Sequence, residues 1–268
     1  MICFPNCKIN LGLHIIGKRP DGYHDLESVF YPINIKDINE ITPSDNFQFT
    51  VSGLPVKGSV DDNLCFKAYH LLKKDFPELP QVKMWLHKHI PMGAGLGGGS
   101  ADGAFALKLL NDKFHLNIST NQLVSYASQL GSDCSFFILN KPCLASGRGE
   151  ILKPIDLNLS DYSFVLVHPE IHIATSWAFS QIKSNVHSKH IKEIISQPIA
   201  TWKDELKNDF EEPVLKKYPR LSIIKEKLYE AGALYVSMTG SGSSFYGMFT
   251  LKPLNIGFLT DNYHVTFL

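Results

Sequence analysis

A run of glycines near the middle of the chain carries the clearest chemistry in the sequence. Residues 90–101 read Ile-Pro-Met-Gly-Ala-Gly-Leu-Gly-Gly-Gly-Ser-Ala. Glycines leave backbone N–H groups uncovered, and a following helix adds free N–H groups and the positive end of its dipole. The run therefore predicts a polyphosphate-binding loop. A flexible surface loop is the alternative, although five glycines beside a helix lose much conformational entropy on folding.

Two common phosphate-binding motifs do not account for this loop. A P-loop requires Gly-Lys-Ser/Thr, and no Lys follows these glycines. A dinucleotide fingerprint requires an acidic residue about 20 positions further on, after a second strand, and that residue is missing. The loop is therefore a different type of anion site.

A strand and a helix flank the loop and would hold it in place. Residues 82–87 alternate between apolar and other side chains, which is the period of a strand. After the loop, the apolar spacing of residues 104–110 predicts a helix with Ser100 as its N-cap.

Two other stretches carry residues that could bind a ligand. Residues 239–244, Thr-Gly-Ser-Gly-Ser-Ser, form a second glycine-serine loop. The turn-rich run 17–24 ends in Tyr23 and His24, an aromatic ring next to an imidazole. Rigid turns that present such rings can stack on bases, although surface loops also carry these residues without function.

The remaining patterns predict a mixed chain. Strands are predicted at residues 7–16, 28–34, 46–52, 82–87, 151–155, 162–168, 234–238, 245–249 and 264–268. Helices are predicted from residues 61–63 through 72, and at 100–110, 120–130, 175–182, 191–195 and 213–228. Pro253 and Gly257 argue against a helix between residues 250 and 263. Because strands and helices do not alternate regularly, we expect an α+β fold with a cleft between two layers.

Composition bounds the function. The sequence has 268 residues, with 26 Lys plus Arg and 26 Asp plus Glu, so its charge gives no reason to expect nucleic acid or an anionic membrane as partner. No apolar run is long enough to span a membrane, and Lys8 interrupts the early apolar stretch that a signal peptide would need. The five cysteines are scattered, which favours reduced thiols. We expect a cytoplasmic protein, a monomer or weak homodimer, with a small-molecule partner.

Three segments, in order along the chain, resemble the three motifs of the GHMP kinases, such as galactokinase, homoserine kinase and mevalonate kinase. The segments are Pro5-x-x-Lys8-Ile9-Asn10-Leu11, Pro91-x-x-x-Gly95-Leu96-Gly97-Gly98-Gly99-Ser100-Ala101 and Thr239-Gly240-Ser241-Gly242-Ser243-Ser244. The resemblance covers nearly the whole chain and implies a small-molecule kinase that uses ATP and Mg²⁺. It also implies the two-domain GHMP kinase fold. Residues 1–157 would resemble ribosomal protein S5 domain 2, and residues 158–268 would be ferredoxin-like.

Two further runs of residues narrow the resemblance from the GHMP kinases in general to one group of them. Gly-Lys-Arg-Pro-Asp-Gly-Tyr-His at residues 17–24 and Leu-Gly-Ser-Asp at residues 130–133 are similar to the GHMP kinases that act on diphosphocytidyl-methylerythritol. Those kinases phosphorylate its 2-hydroxyl in the non-mevalonate route to isoprenoid precursors. The alternatives are a GHMP kinase for mevalonate or homoserine, and a non-catalytic RNA-associated module with an S5-like domain. The balanced charge weighs against the RNA-associated module.

The resemblance implies a catalytic pair. Asp133 falls on the position of the general base and Lys8 on that of its partner. An ammonium close to a carboxylate favours the charged form and stabilises a developing alkoxide. Judged by position alone, Asp133 is better explained as a helix cap. Since Lys8 and Asp133 are far apart in the sequence, their contact is a structural prediction.

The other implied site residues form two groups. The ATP group comprises Pro91, Met92, Gly93, Ala94, Gly95, Leu96, Gly97, Gly98, Gly99, Ser100 and Ala101, with Asn63 and Lys88 near the adenine. The Ser100 hydroxyl would bind a phosphate or Mg²⁺, and the sequence identifies no other metal ligand. The substrate group comprises Asn10, Tyr23, His24, His168, Thr175, Phe179, Gly240 and Ser241. Tyr23 would stack on the cytosine opposite Phe179 or, as the alternative, Trp177. Core packing is the competing explanation for those last two rings.

Overall fold

A computed structural model describes residues 1–182, 187–253 and 255–268. Its strands are β1 (Ile2–Cys3), β2 (Asn6–Lys18), β3 (His24–Lys36), β4 (Ile38–Pro43), β5 (Gln48–Gly53), β6 (Val82–Lys88), β7 (Cys143–Ser146), β8 (Ile151–Pro154), β9 (Ser163–His168), β10 (Tyr235–Met238), β11 (Phe245–Phe249) and β12 (His264–Phe267). Its α-helices are α1 (Leu64–Asp75), α2 (Gly98–Phe114), α3 (Thr120–Leu130), α4 (Cys134–Leu139), α5 (Thr175–Gln181), α6 (Ile191–Ile195), α7 (Ile199–Glu205), α8 (Glu211–Lys217), α9 (Ser222–Glu230) and α10 (Gly257–Asn262). This mixture confirms the predicted α+β class.

The described chain divides into two compact units. The first unit consists of Met1–Lys8, Pro32–Met92 and Gly97–Lys141, and the second of Ile9–Tyr31, Gly93–Leu96 and Pro142–Leu268. The chain therefore passes between the units inside β2, inside β3, twice within the glycine loop and once between Lys141 and Pro142. The domain boundary at residues 157/158 stays a prediction.

The first unit contains one four-stranded sheet, in the order β1-β4-β6-β5, together with helices α1 to α4. Strand β6 runs antiparallel to β4 and parallel to β5. Its alternate residues Val82, Met84 and Leu86 are fully buried, as the sequence period predicts. Helix α2 packs against α1 and α4. Strand β6 and helix α2 therefore hold the two ends of the glycine loop on rigid elements.

The second unit contains two four-stranded sheets, ordered β2-β3-β7-β8 and β10-β11-β9-β12. The second of these sheets is antiparallel throughout. Its apolar side chains share one core with α8 and α9, which includes Val165, Val167, Val214, Ile224, Leu228 and Phe245. The glycine-serine loop 239–244 joins β10 to β11 at one end of this sheet.

The predicted helix over residues 213–228 is wrong as a single element. Helix α8 ends at Lys217 and α9 begins at Ser222. Pro219 causes the break, because a proline disfavours helical geometry in the residue before it. Tyr218 accordingly has φ −126° and ψ 71°.

The expectation of no helix between residues 250 and 263 is also wrong. Helix α10 begins at Gly257 and carries Leu259, which is fully buried. Burial of this side chain stabilises a short turn that local propensity alone disfavours. Strand β4 has no counterpart among the predicted strands. Within the described ranges, the helices are too short or too polar to cross a bilayer.

Candidate active site

The glycine loop ends at Gly97, one residue before α2. Gly97 has φ +71°, in the left-handed region that favours glycine, and it is the N-cap of the helix. The prediction of Ser100 as N-cap is therefore wrong by three residues, because the helix already starts at Gly98. The first turn of α2 contains no acidic residue, so its free N–H groups and dipole favour an anion. Ser100 lies in that turn, three residues after the N-cap.

Lys8 and Asp133 lie in contact, as predicted. Lys8 Nζ is 3.5 Å from Asp133 Oδ2, with side-chain exposures of 5% and 28%. The lysine is thus almost enclosed, whereas the carboxylate is open to an incoming molecule. A Cβ on Gly97 would stand 3.3 Å from Lys8 Cε and 3.1 Å from Phe137 Cζ. The pair therefore lies beside the start of α2, and glycine leaves the room that this arrangement needs.

Asp133 also precedes α4 as its N-cap, which was the competing explanation for this residue. Its side chain makes no capping hydrogen bond to that helix. The backbone thus occupies a cap position while the carboxylate is directed to Lys8. This geometry leaves the carboxylate available for chemistry, and its role as general base stays a prediction.

Two residues predicted near the adenine have structural partners in the first unit. Asn63 is the N-cap of α1 and accepts a hydrogen bond of 2.9 Å from Cys65 N. The Lys88 side chain is buried and binds the carboxylates of Asp37 and Asp102. The Lys88 ammonium is thus paired within the fold, and the placement of Asn63 and Lys88 near the adenine stays a prediction.

The second glycine-serine loop is held by neutral hydrogen bonds around Thr239, within the second unit. The Thr239 hydroxyl accepts a bond of 3.1 Å from Asn10 N and donates to Gly95 O at 3.1 Å. Asn208 donates from its carboxamide to Met238 O and Gly240 O. The side chain of Asn10 also donates to Ser28 Oγ at 2.9 Å. These bonds join Gly93–Leu96, strand β2 and the loop into one network.

Further predicted substrate residues lie in or beside this same loop, which contains Gly240 and Ser241 and contacts Thr175 and His168. Thr175 Oγ1 is 3.0 Å from Ser241 Oγ, so the two hydroxyls are adjacent, as expected for residues that share a ligand. His168 is nearly buried, and its Nδ1 lies 3.1 Å from Ser244 Oγ. Burial lowers the pKa of His168, which favours its neutral, hydrogen-bonding form.

The aromatic residues pair differently from the expected sandwich. Phe179 stacks on His24, with ring centroids 5.1 Å apart. Tyr23 is 56% exposed, and the Arg148 guanidinium carbon lies 4.8 Å from its ring centroid. Trp177 instead has Lys217 Nζ 3.9 Å from its ring centroid. Phe179 therefore belongs with the residue 23–24 pair, which favours it over Trp177 as the second stacking ring.

Comparison with known proteins agrees with this geometry. The family models for the GHMP kinases N terminal domain and the GHMP kinases C terminal region match residues 63–141 and 191–255. A relative from Bacteroides fragilis, named 4-diphosphocytidyl-2-C-methyl-D-erythritol kinase, is 52% identical over 254 residues, which cover 93% of this chain and 92% of the relative. The chain belongs to this kinase family. Its members are GHMP kinases, so the predicted superfamily and fold are confirmed.

Solved structures support the same assignment for this GHMP kinase. A crystal structure of 4-(cytidine 5'-diphospho)-2C-methyl-D-erythritol kinase matches with a TM-score of 0.85 at 26% identity, covering 100% of this chain and 98% of that one. The Methanococcus jannaschii mevalonate kinase matches with a TM-score of 0.75 at 14% identity, covering 100% and 97%. The second likeness shows a shared fold alone.

Several residues that shape the site of this kinase were not predicted. Asp37 and Asp102 enclose Lys88, Asn208 supports the second loop, and Arg148 covers Tyr23. Each is an ordinary polar residue outside the three motifs. Only their burial, or the rings beside them, distinguishes them from surface residues, and neither property is visible in the sequence.

Proposed function

We propose that this kinase transfers the γ-phosphoryl group of ATP to the 2-hydroxyl of 4-diphosphocytidyl-2-C-methyl-D-erythritol. The hydroxyl oxygen attacks the γ-phosphorus while the bond from that phosphorus to the bridging oxygen of ADP breaks. The hydroxyl proton passes to a carboxylate oxygen of Asp133, which acts as general base. Lys8 stabilises the negative charge that develops on the attacking oxygen.

One observation carries this proposal, which is the contact between Lys8 and Asp133 beside Gly97. A carboxylate, an ammonium and the N-terminus of a 17-residue helix occur together in the first unit. Proton removal, charge stabilisation and phosphate binding are the three requirements of phosphoryl transfer to an alcohol. The names of the relatives support the choice of acceptor.

The proposed ATP group is the loop 91–101, which binds phosphates through backbone N–H groups. Mg²⁺ is usually held by one or two protein oxygens together with phosphates and waters. The described residues contain no cluster of three or more His, Cys, Asp or Glu side chains that could hold a metal ion. We therefore propose that the Mg²⁺ ion is bound mainly by the triphosphate of ATP. The Ser100 hydroxyl is its proposed protein ligand.

The proposed acceptor group comprises Asn10, Tyr23, His24, His168, Thr175, Phe179, Gly240 and Ser241. An exposed tyrosine ring and a nearby stacked His–Phe pair are suited to hold a cytosine. Two adjacent hydroxyls, from Thr175 and Ser241, are suited to bind polar groups of the same ligand. The balanced charge supports a small-molecule partner, and a cytoplasmic monomer or weak homodimer remains part of the proposal.

Release of ADP with a panel of acceptors tests the proposal. The purified protein is incubated with ATP, Mg²⁺ and either 4-diphosphocytidyl-2-C-methyl-D-erythritol, mevalonate or homoserine. We expect ADP with the diphosphocytidyl substrate alone, and a phosphate on its 2-position by ³¹P NMR. ADP with mevalonate or homoserine would instead assign another GHMP kinase activity. If no acceptor yields ADP, the proposal is wrong and a binding module is favoured.

A further inference from the structure

A buried charged cluster lies under the glycine loop, and the proposed reaction assigns it no role. Lys88 is 1% exposed, Asp37 is fully buried and Asp102 is 2% exposed. Lys88 Nζ donates to Asp102 Oδ2 at 2.6 Å and to Asp37 Oδ2. We call these three residues the buried triad. Its members come from the end of β6, the turn between β3 and β4, and the second turn of α2.

The buried triad holds the chain on both sides of the loop. Asp37 Oδ1 accepts backbone hydrogen bonds from His89 N at 2.5 Å and Ile90 N at 2.8 Å. Asp37 thereby fixes the residues that lead into the loop. Asp102 is four residues into α2, so its bond to Lys88 fixes the helix that leaves the loop. Every bond in this set lies within the first unit.

The start of α2 is packed closely against this cluster. A Cβ on Gly98 would stand 2.7 Å from Ile90 Cγ2 and 3.5 Å from Lys88 Nζ. Glycine at the first helical position thus lets the helix approach the residue that precedes the loop. The loop from Pro91 to Gly97 therefore spans two fixed points, one on each side, and the triad sets the distance between them.

Stability alone is a poor explanation for such a cluster. Burying ions is costly, and apolar residues of the same volume often serve a core as well or better. Ion pairs with defined geometry do fix one arrangement in preference to others. Asp102 Oδ1 has no hydrogen-bond partner among the described residues, so this carboxylate is not fully satisfied by the fold.

We propose that Asp37, Lys88 and Asp102 are positioning residues for ATP, because they hold the first residues before the loop and the start of α2 at the spacing that directs the backbone N–H groups at the phosphates. The inference rests on the proposed function. None of the three side chains touches the nucleotide; they act through the backbone that does.

The decisive variant is Asp102→Asn, which keeps the shape of the side chain and removes its charge. The amide binds Lys88 less strongly, so the start of α2 is held less firmly. We expect the KM for ATP to rise about tenfold, with kcat and the KM for the acceptor changed less than about twofold. Equilibrium binding of a non-hydrolysable ATP analogue, measured by calorimetry, should weaken by the same factor. Unchanged analogue affinity, or equal rises in both KM values, would overturn the proposal.

A control variant separates a positioning role of the triad from a simple loss of protein stability. Ile41→Val removes one methylene group from a fully buried residue of β4 in the same sheet and leaves the triad intact. It should lower the melting temperature without changing affinity for the ATP analogue. If Ile41→Val weakens analogue binding as much as Asp102→Asn does, the triad has only a structural role.

If Asp102→Asn does not fold, the triple variant Asp37→Asn, Lys88→Met and Asp102→Leu removes all three charges, so that no buried ion is left without its partner. It should fold and still bind the analogue about tenfold more weakly than the wild type, because the polar geometry is gone. Wild-type affinity in this variant would refute the positioning role. The binding measurement needs no acceptor, so it stays readable even if the wild type releases no ADP with any acceptor, which is the result that refutes the proposed function.

Discussion

The two glycine loops look alike in the sequence, but the elements around them differ. The first loop leads into α2, a helix of 17 residues, and its ends are held by the buried triad of charged side chains. The second loop joins two antiparallel strands, β10 and β11, and its supports are neutral hydrogen bonds. Because only the first loop precedes a helix N-terminus, only it has a dipole to offer a polyphosphate. The glycines of a loop indicate only that its backbone is free to adopt unusual conformations. The secondary-structure element that follows the loop decides what the loop can bind.

The second loop also positions neighbouring chain segments. Thr239 binds the backbone of Asn10 and of Gly95, and Tyr246 donates its hydroxyl to Asn10 O at 2.8 Å. A Cβ on Gly95 would stand 2.0 Å from Thr239 O, so only glycine permits this approach. The loop thus fixes the strand that carries Asn10, a proposed substrate residue.

The largest effect is expected beside the first loop, from Asp133→Asn. An amide cannot accept the proton of the acceptor hydroxyl, so kcat should fall by about a thousandfold. Steady-state ADP release measures this loss, and thermal unfolding should show a melting temperature close to that of the wild type.

Lys8→Met should reduce kcat as well, because the developing alkoxide loses its stabilising ammonium. Asp75→Asn is the matched control, since Asp75 is an exposed carboxylate of the same unit whose oxygen binds only the Tyr126 hydroxyl in the described structure. It should keep wild-type turnover. Wild-type rates in both Asp133→Asn and Lys8→Met would remove the catalytic assignment.

The sequence motifs predicted the elements that flank the first loop, but not the side chains that hold those elements in place. The strand before it, the helix after it and the contact between Lys8 and Asp133 were all predicted. The predicted helix start at Ser100 was wrong, because spacing of apolar residues places a helix while the left-handed φ of Gly97 decides where it begins.

The supports themselves could not be predicted, for a physical reason. Asp37, Lys88 and Asp102 are separated by 51 and 14 positions. The resemblance placed Lys88 near the adenine, but nothing in the sequence joined it to the two aspartates. Burial of all three results from tertiary packing, which local patterns do not encode. The network of Thr239 is likewise built from contacts such as that to Asn10, 229 positions away.

An intermediate effect is expected at the second loop, from Thr239→Val. Valine keeps the shape but leaves Asn10 N and Gly95 O without the hydroxyl, so the free energy of unfolding should fall by about 2 kcal/mol. Urea denaturation measures the change. If the first loop alone binds the triphosphate, affinity for an ATP analogue should change far less than in Asp102→Asn.

Thr175→Val is the matched control for this prediction. Its hydroxyl lies on the surface and is hydrogen-bonded to Ser241, so its loss should change stability by less than about 0.5 kcal/mol. A large loss of ATP-analogue affinity in Thr239→Val would mean that the second loop also contributes to phosphate binding. The contrast between the two loops would then fail.

The units also differ in how they accommodate a buried ionisable side chain. The triad of the first unit is ion-paired, whereas His14 of the second unit is 2% exposed and both its ring nitrogens lack a hydrogen-bond partner among the described residues. Its ring stacks on that of His187, with centroids 3.6 Å apart. Burial lowers the pKa of His14 to about 4, His187 and His190 act in the same direction, and Asp209 and Glu27 oppose the shift.

The smallest of these effects is a loss of stability in mild acid that depends on His14. The unfolded chain takes up a proton near pH 6.5, whereas the folded protein resists protonation of His14 until about pH 4, so stability falls as the pH drops through this window. At pH 5.5 the cost relative to pH 7.5 is about 1.3 kcal/mol. His14→Phe keeps a ring to stack on His187 and removes the proton site. Urea unfolding at the two pH values should therefore show a smaller loss of stability in acid for the variant, by about that amount.

His89→Gln is the control for this prediction, because it replaces an exposed histidine and should retain the wild-type difference in stability between the two pH values. The same acid loss in His14→Phe as in the wild type would show that the groups around His14, and not His14 itself, set the response of the second unit to acid.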